Sequence, residues 1–245
     1  VVEGLRANSH PAPIYEAVLG EHQAYVAALT GAGVRVTVLE PLEAFPDSIF
    51  VEDPALVFTE AALQLRPGAA SRGGEARELS AALAAHFPRV LSLHEGFADG
   101  GDVLVTPGGV FIGLSARTDR AGAAALQTLL DSIGRRAEVM EVPRGTLHLK
   151  TDCSLIDEDT ILVTAELAQA AALSRFRKLI VPHEERGAAN AVRVNEVVLL
   201  RAGCPRTAEM VLRHGVEVIP LPASEIGKID AGLSCMSLRW FRSAG

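Results

Sequence analysis

No stretch of this 245-residue chain holds more than two consecutive Lys or Arg, and its formal net charge is −7. That balance argues against a nucleic-acid footprint or an anionic membrane surface. No apolar run approaches the roughly 20 residues that span a bilayer. The first residues, with Glu3 and Arg6, lack the layout of a signal peptide. Cysteine is scarce as well. Cys153, Cys204 and Cys235 are odd in number and widely spaced, with no Cys-x-x-Cys and no His at zinc spacing. A disulfide framework or structural zinc site is therefore not expected, and the chain reads as cytoplasmic with reduced thiols. A small molecule is the expected partner, with no nucleic acid and no membrane.

With 49% hydrophobic residues the chain is long enough to bury a large core. Apolar residues recur at helical spacing from Ile14 to Thr30, Gly31-Ala32-Gly33 stops them, and Val34 to Leu39 alternates as a strand. A unit then begins that repeats. Strands over 55–58 and 61–65 lead to a helix over about 74–85 and a strand over 89–93. The same order returns at 102–105, 110–114, 119–132 and 137–142. It returns again at 153–156, 161–164, an alanine-rich helix at 165–173 and a strand at 178–181. A fourth copy runs through 191–194, 197–200, 205–214 and 216–220.

These are four strand–strand–helix–strand (ββαβ) modules at intervals of about 40–50 residues, a period that signals arrays or closed rings. A fifth is split between the ends: residues 234–239 supply a first strand, and the N-terminal helix and strand supply the rest. Its second strand is expected ahead of Val1, and pairing of the two ends would remove exposed sheet edges. The expected fold is one α/β domain over residues 1–245.

Polar residues fall at one register, just before the first strand of each module. Glu52 and Asp53 precede the first, Asp99 and Asp102 the second, His148 the third and Asn190 the fourth, while Cys235 opens the fifth. Each has a plain structural reading. Glu52-Asp53-Pro54 fits an exposed turn, Asp99-Gly-Gly-Asp102 a glycine turn, and a lone Cys is most often a small buried apolar residue. Modules set around an axis would bring the whole set to one mouth, where a thiol, an imidazole and several carboxylates share a cavity. A thiolate there is a strong nucleophile once a base or positive field lowers its pKa.

The stretches Phe45 to Pro54, Arg66-Pro-Gly68, Ser71-Arg72, Gly113 to Thr118, Leu147-His-Leu-Lys150 and Lys228 to Arg239 resemble those of dimethylarginine dimethylaminohydrolases, members of the guanidine-modifying or pentein superfamily. The resemblance runs from Gly4 to Trp240. It implies a five-bladed α/β propeller of ββαβ modules around a central channel, and hydrolysis of methylated arginines to citrulline with no metal or organic cofactor. By the same resemblance Cys235 is the nucleophile and His148 the acid/base. Asp99 and Asp53 hold the guanidinium, with Glu52 beside them, and Leu5, Asp47, Arg72 and Arg117 hold the amino-acid end. Asp99 stands where several bacterial members have Glu, which shortens its reach. Arginine deimination or amidino transfer is the alternative in the same fold, and a non-catalytic binding protein is the third reading. A homodimer is compatible with the sequence.

Overall fold

The computed structural model describes residues 1–6 and 10–241. In chain order the elements are α1 (Tyr15–Gly31), β1 (Ala55–Val57), β2 (Ala62–Gln64), α2 (Glu75–Glu78), α3 (Ser80–His86), β3 (Val90–Ser92), β4 (Val103–Thr106), β5 (Gly109–Leu114), α4 (Arg120–Asp131) and β6 (Ala137–Glu141). There follow β7 (Cys153–Leu155), β8 (Thr160–Val163), β9 (Arg177–Ile180), β10 (Val192–Val194), β11 (Val197–Arg201), α5 (Pro205–Arg213) and β12 (Glu217–Leu221).

Among the described residues, twelve strands form four three-stranded sheets, each in sequence order. In every sheet the first two strands make an antiparallel hairpin and the third adds in parallel beside the second. A parallel third strand needs a crossover long enough to return the chain to the same end of the sheet, and the helical segment of each module supplies it. The central strands are the most apolar: all four residues of β8 are buried, and so are Val198, Leu199 and Leu200 of β11. The β10–β11 hairpin turns at Asn195, whose φ of 49° is left-handed and suits Asn better than most residues.

The chain divides into two compact units. One comprises Leu39–Leu149 with the chain from Cys235 onward. It holds the β1–β3 and β4–β6 sheets, joined by a core of Leu56, Leu63, Val103 and Ile112 with Leu126 and Leu130 of α4. Leu126 and Leu130 lie four apart and so share a helix face. Both are wholly buried, and truncating either to Ala costs about 2–5 kcal/mol. The helix starts where Asp119 Oδ1 accepts from Gly122 N at 2.7 Å, an N-cap that satisfies an otherwise unpaired amide. The other unit is Val1–Val38 with Lys150–Ser234. In it Leu162, Val198, Leu200 and Val211 of α5 pack together, and Glu21 of α1 accepts hydrogen bonds from Ser224 Oγ and from the Glu225 and Ile226 amides at 2.8–3.0 Å.

Four expected segments are corrected. The segment 165–173 is not a helix but two 3-10 turns, Leu167–Gln169 and Ala171–Leu173, separated by an extended Ala170. A helix of nine residues is marginal without tertiary support, and here Leu167 and Leu173 are instead the buried anchors. The segment 34–39 carries no strand assignment, and neither does 234–239. Cys235 lies in a 3-10 turn, Leu233–Met236, not at the start of a strand. The helix expected over 74–85 is broken at Leu79 into α2 and α3.

Candidate active site

The polar register of the sequence is kept. Asp53 sits two residues before β1, Asp102 directly before β4, His148 in the approach to β7 and Asn190 two residues before β10. Asp53, Asp99 and His148 meet: one donor atom from each lies within 4.8 Å of the others. All three are buried. His148 Nε2 faces Asp99 Oδ2 at 3.1 Å. Asp99 Oδ1 accepts from Gly68 N at 2.7 Å, and Asp53 Oδ1 accepts from Gly101 N at 3.2 Å. Side chains of this type could share a cation, but the hydrogen bonds above already tie Asp99 to His148, and Asp53 is ion-paired with Arg72.

The glycines of the Asp99-Gly-Gly-Asp102 turn are required by close approach. A Cβ on Gly100 would lie 2.0 Å from the Glu52 carbonyl oxygen, and one on Gly101 would lie 2.8 Å from His148 Cγ. The turn is thus pressed onto both the acidic segment 52–53 and the imidazole.

Burial disfavours charge on His148, but Asp53, the hydrogen bond to Asp99, and then Asp102 outweigh it, and its pKa rises to about 9. The imidazole therefore keeps its proton at neutral pH. Burial works in the same sense on Glu75 and Asp102, raising both carboxyls.

Arg72 is buried among protein acceptors. Its Nη1 pairs with Asp53, its Nε donates to Glu75 Oε2 at 2.9 Å, and its Nη2 reaches Glu75 Oε2 at 2.6 Å, Phe50 O at 2.9 Å and Asp47 O at 3.3 Å. Burial opposes its charge, and Asp53 and Glu75 more than restore it. Asp47 is buried beside it. Glu52 is also buried; its amide donates to the Cys235 carbonyl at 3.1 Å and its Oε1 accepts from Arg239 Nη2 at 3.4 Å. Cys235, 8% exposed, is thereby tied by its backbone to the residue next to Asp53. Arg117 is half-buried in the turn before α4, and its backbone abuts Gly68, where a Cβ would lie 2.4 Å from the Arg117 carbonyl oxygen. Leu5 belongs to the other unit and is 37% exposed.

Within that other unit Asn190 clamps the approach to Cys235. Its Nδ2 donates to Lys150 O at 2.9 Å and to Ser234 Oγ at 3.1 Å, and its Oδ1 accepts from Ser234 N at 2.9 Å. A Cβ on Gly232 would lie 2.3 Å from Asn190 Cγ, so only glycine fits. Sequence reasoning missed the supporting groups Glu75, Gly68, Ser115 and Thr118. The last two carried a faint signal, hydroxyls three apart ahead of a helix cap.

An arginine deiminase family model matches residues 86–202. The chain is 38% identical over 242 residues to an N(G),N(G)-dimethylarginine dimethylaminohydrolase of Pseudomonas aeruginosa, covering 98% of this chain and 95% of that protein. A solved structure of a Cys-to-Ser variant of the Pseudomonas aeruginosa enzyme with citrulline shares the fold at a TM-score of 0.94, covering 97% of this chain and 94% of the other at 38% identity. A second structure, a His-to-Gly variant as an adduct with S-methyl-L-thiocitrulline, matches with the same score, identity and coverage. The α/β-propeller class implied by the resemblance is thus the fold of this chain. Identity of this order over nearly the full length places the chain in the dimethylarginine dimethylaminohydrolase family.

Proposed function

We propose that the protein hydrolyses Nω-methylated arginines to citrulline, releasing dimethylamine or methylamine, through a covalent intermediate on Cys235. The observation that carries this reading is the buried Asp53–Asp99–His148 cluster, in which the imidazole keeps its proton at neutral pH, in a chain of this family. The solved relatives add support. Their substituted residues are one Cys and one His, bound to citrulline and to a thiocitrulline, and the two are as far apart in sequence as His148 and Cys235 are here.

A guanidinium carbon is a poor electrophile because resonance spreads its charge. Asp53 and Asp99 hold the cation by charge-assisted hydrogen bonds, which are roughly twice as strong as neutral ones. The bound cation favours the Cys235 thiolate. Sγ attacks the guanidinium carbon and a C–S bond forms. The His148 imidazolium gives its proton to the methylated nitrogen, the C–N bond breaks, and the amine departs to leave a thiouronium. Neutral His148 then takes a proton from water, the hydroxide adds to the same carbon, and the C–S bond breaks to give the thiolate and citrulline, the remaining hydroxyl proton passing to solvent, where it protonates the released amine. His148 ends as it began, protonated.

Arg72 serves this scheme through Asp53, since its guanidinium is occupied by Asp53, Glu75 and the Phe50 and Asp47 carbonyls. Arg117, with Asp47, is assigned to the amino-acid end of the substrate, and Glu52 supports the backbone link between Asp53 and Cys235. The reading includes one catalytic domain, a cytoplasmic location and a homodimer, which limited proteolysis, cell fractionation and sedimentation respectively test.

The decisive assay compares citrulline release from dimethylarginine, monomethylarginine and arginine at equal enzyme concentration. A dimethylated nitrogen has no N–H to donate, so a pocket suited to it leaves the unmethylated NH₂ of arginine unpaired, a loss of about 1–3 kcal/mol. Methylated substrates should have the higher kcat/KM, by tenfold to hundredfold. If arginine proves equal or better, the deiminase reading takes its place.

A further inference from the structure

The Asp99-Gly-Gly-Asp102 turn ends on a carboxylate that the reaction does not use. Asp102 has no exposed surface. Its Oδ1 accepts from Leu149 N at 2.9 Å, and its Oδ2 accepts from Ser115 Oγ and from Thr118 Oγ1, both at 2.7 Å. Each hydroxyl passes the connection on. Thr118 Oγ1 accepts from Asp99 N at 3.1 Å. Ser115 Oγ accepts from Arg117 N at 3.0 Å and Thr118 N at 3.2 Å. One buried carboxylate thus reaches the peptide after His148, the backbone of Asp99 and the turn that carries Arg117.

The direction of these bonds depends on its charge. Burial raises the Asp102 carboxyl, while the His148 imidazolium, the two hydroxyls and the Leu149 amide favour its charged form; ionised, it only accepts, and each hydroxyl has a single proton. Both hydroxyls must therefore aim their protons at Asp102, which leaves their lone pairs to the amides of Asp99, Arg117 and Thr118. An amide in place of the carboxylate breaks this order in either orientation. With its oxygen toward Leu149, its NH₂ confronts two hydroxyls that must turn away; flipped, it sets NH₂ against the Leu149 N–H.

We propose that Asp102 is a positioning residue whose negative charge sets the mutual register of His148, Asp99 and Arg117 without contact with substrate. The roles of those three groups rest on the dimethylarginine hydrolase reading above. Asp102 also adds to the field on His148, whose charged neighbours are Asp53, Asp99 and Asp102, with Arg72 behind Asp53.

The test uses Asp102→Asn, Thr118→Val and Ser115→Ala in the full chain. The NMR titration of His148 should shift down by about one pH unit or more in Asp102→Asn, the usual size for loss of a nearby opposite charge. With dimethylarginine, Thr118→Val, which cuts the arm to Asp99, should lower kcat by roughly tenfold or more at nearly unchanged KM, on the scale of a small misplacement at the reacting centre. Ser115→Ala, which cuts the arm to the Arg117 turn, should raise KM and nearly spare kcat. Loss of melting temperature in Asp102→Asn with an unmoved His148 titration overturns the proposal. So do equal effects of the two hydroxyl variants on kcat and KM, which decide the matter alone should Asp102→Asn fail to fold. Because the NMR readout needs no substrate, a wrong substrate assignment would abolish turnover yet leave the titration shift in place.

Discussion

Gly101→Ala places one methyl group between the two sides of the acidic cluster. The backbone at Gly101 is a 3-10 turn and its φ is not positive, so alanine is conformationally allowed there. By narrowing the unfolded ensemble it would on that account stabilise by about 0.4–1 kcal/mol. Sterics oppose it, because the Cβ would lie 2.8 Å from both Cγ and Nδ1 of His148 and 3.0 Å from Asp53 Oδ1. Carbon contacts settle at about 3.5–4.0 Å, so the imidazole must withdraw by roughly 0.7 Å or more. Overpacking of a filled interior costs about 1–3 kcal/mol. The net loss of stability is small, and the melting temperature should fall by no more than about 10 °C, at ~2–4 °C per kcal/mol for a chain of this size. Activity should suffer far more. The same withdrawal stretches the 3.1 Å contact of His148 with Asp99 and moves the proton donor off its line, and a misplacement near 1 Å costs about a hundredfold in rate. Calorimetry paired with citrulline release separates the two effects. A folded Gly101→Ala protein with near-normal kcat would refute the assignment of His148 to the reacting centre. Gly100→Ala is the contrast: its Cβ would lie 2.0 Å from the backbone oxygen of Glu52, which cannot swing aside, so loss of soluble folded protein is expected.

Further expectations follow from the same geometry. Cys235→Ser should fold and lose hydrolysis, and the wild-type enzyme quenched in acid should carry a substrate-derived mass on the peptide containing Cys235. His148 has a folded pKa near 9 against an ordinary 6.5. Its contribution to stability, on the order of 3 kcal/mol from that difference, is full below about pH 6.5 and is lost as the pH rises through 9, and denaturation curves at pH 6 and 9.5 should differ in that sense. The alkaline limb of kcat/KM should fall near the same pKa and move down in Asp99→Asn. Arg117→Ala should weaken substrates with an α-carboxylate by about 2–5 kcal/mol in kcat/KM and a simple alkylguanidine much less; equal losses would remove Arg117 from the pocket. Gly20→Ala, in the exposed middle of α1 with nothing within 4 Å of the added Cβ, should raise stability by about 0.5–1 kcal/mol.

The repeat was legible in the chain's apolar pattern alone. Period-2 apolar runs split by short polar turns located all twelve strands to within a residue or two, because a strand with a buried face must alternate or be apolar throughout, whatever its neighbours are. The sequence also showed Asp53, Asp99, His148 and Cys235 at one register of that repeat, which is the ground for proposing them as the site. How these residues meet was settled by long-range packing. That Arg72 pairs with Asp53, that Asp99 faces the imidazole, and that two hydroxyls donate to Asp102 behind them depend on contacts between residues up to 49 apart in sequence, which no local pattern encodes. The same limit explains the misread segments. Residues 165–173 have helical composition, but burial of Leu167 and Leu173 holds the chain in two short turns. The Gly-Leu-Ser approach to Cys235 looks extended, yet it winds into a 3-10 turn in which Asn190 accepts from the Ser234 amide. Propensity is worth a few tenths of a kcal/mol per residue. A buried side chain or a satisfied buried amide is worth several times that, so where they disagree the contact prevails.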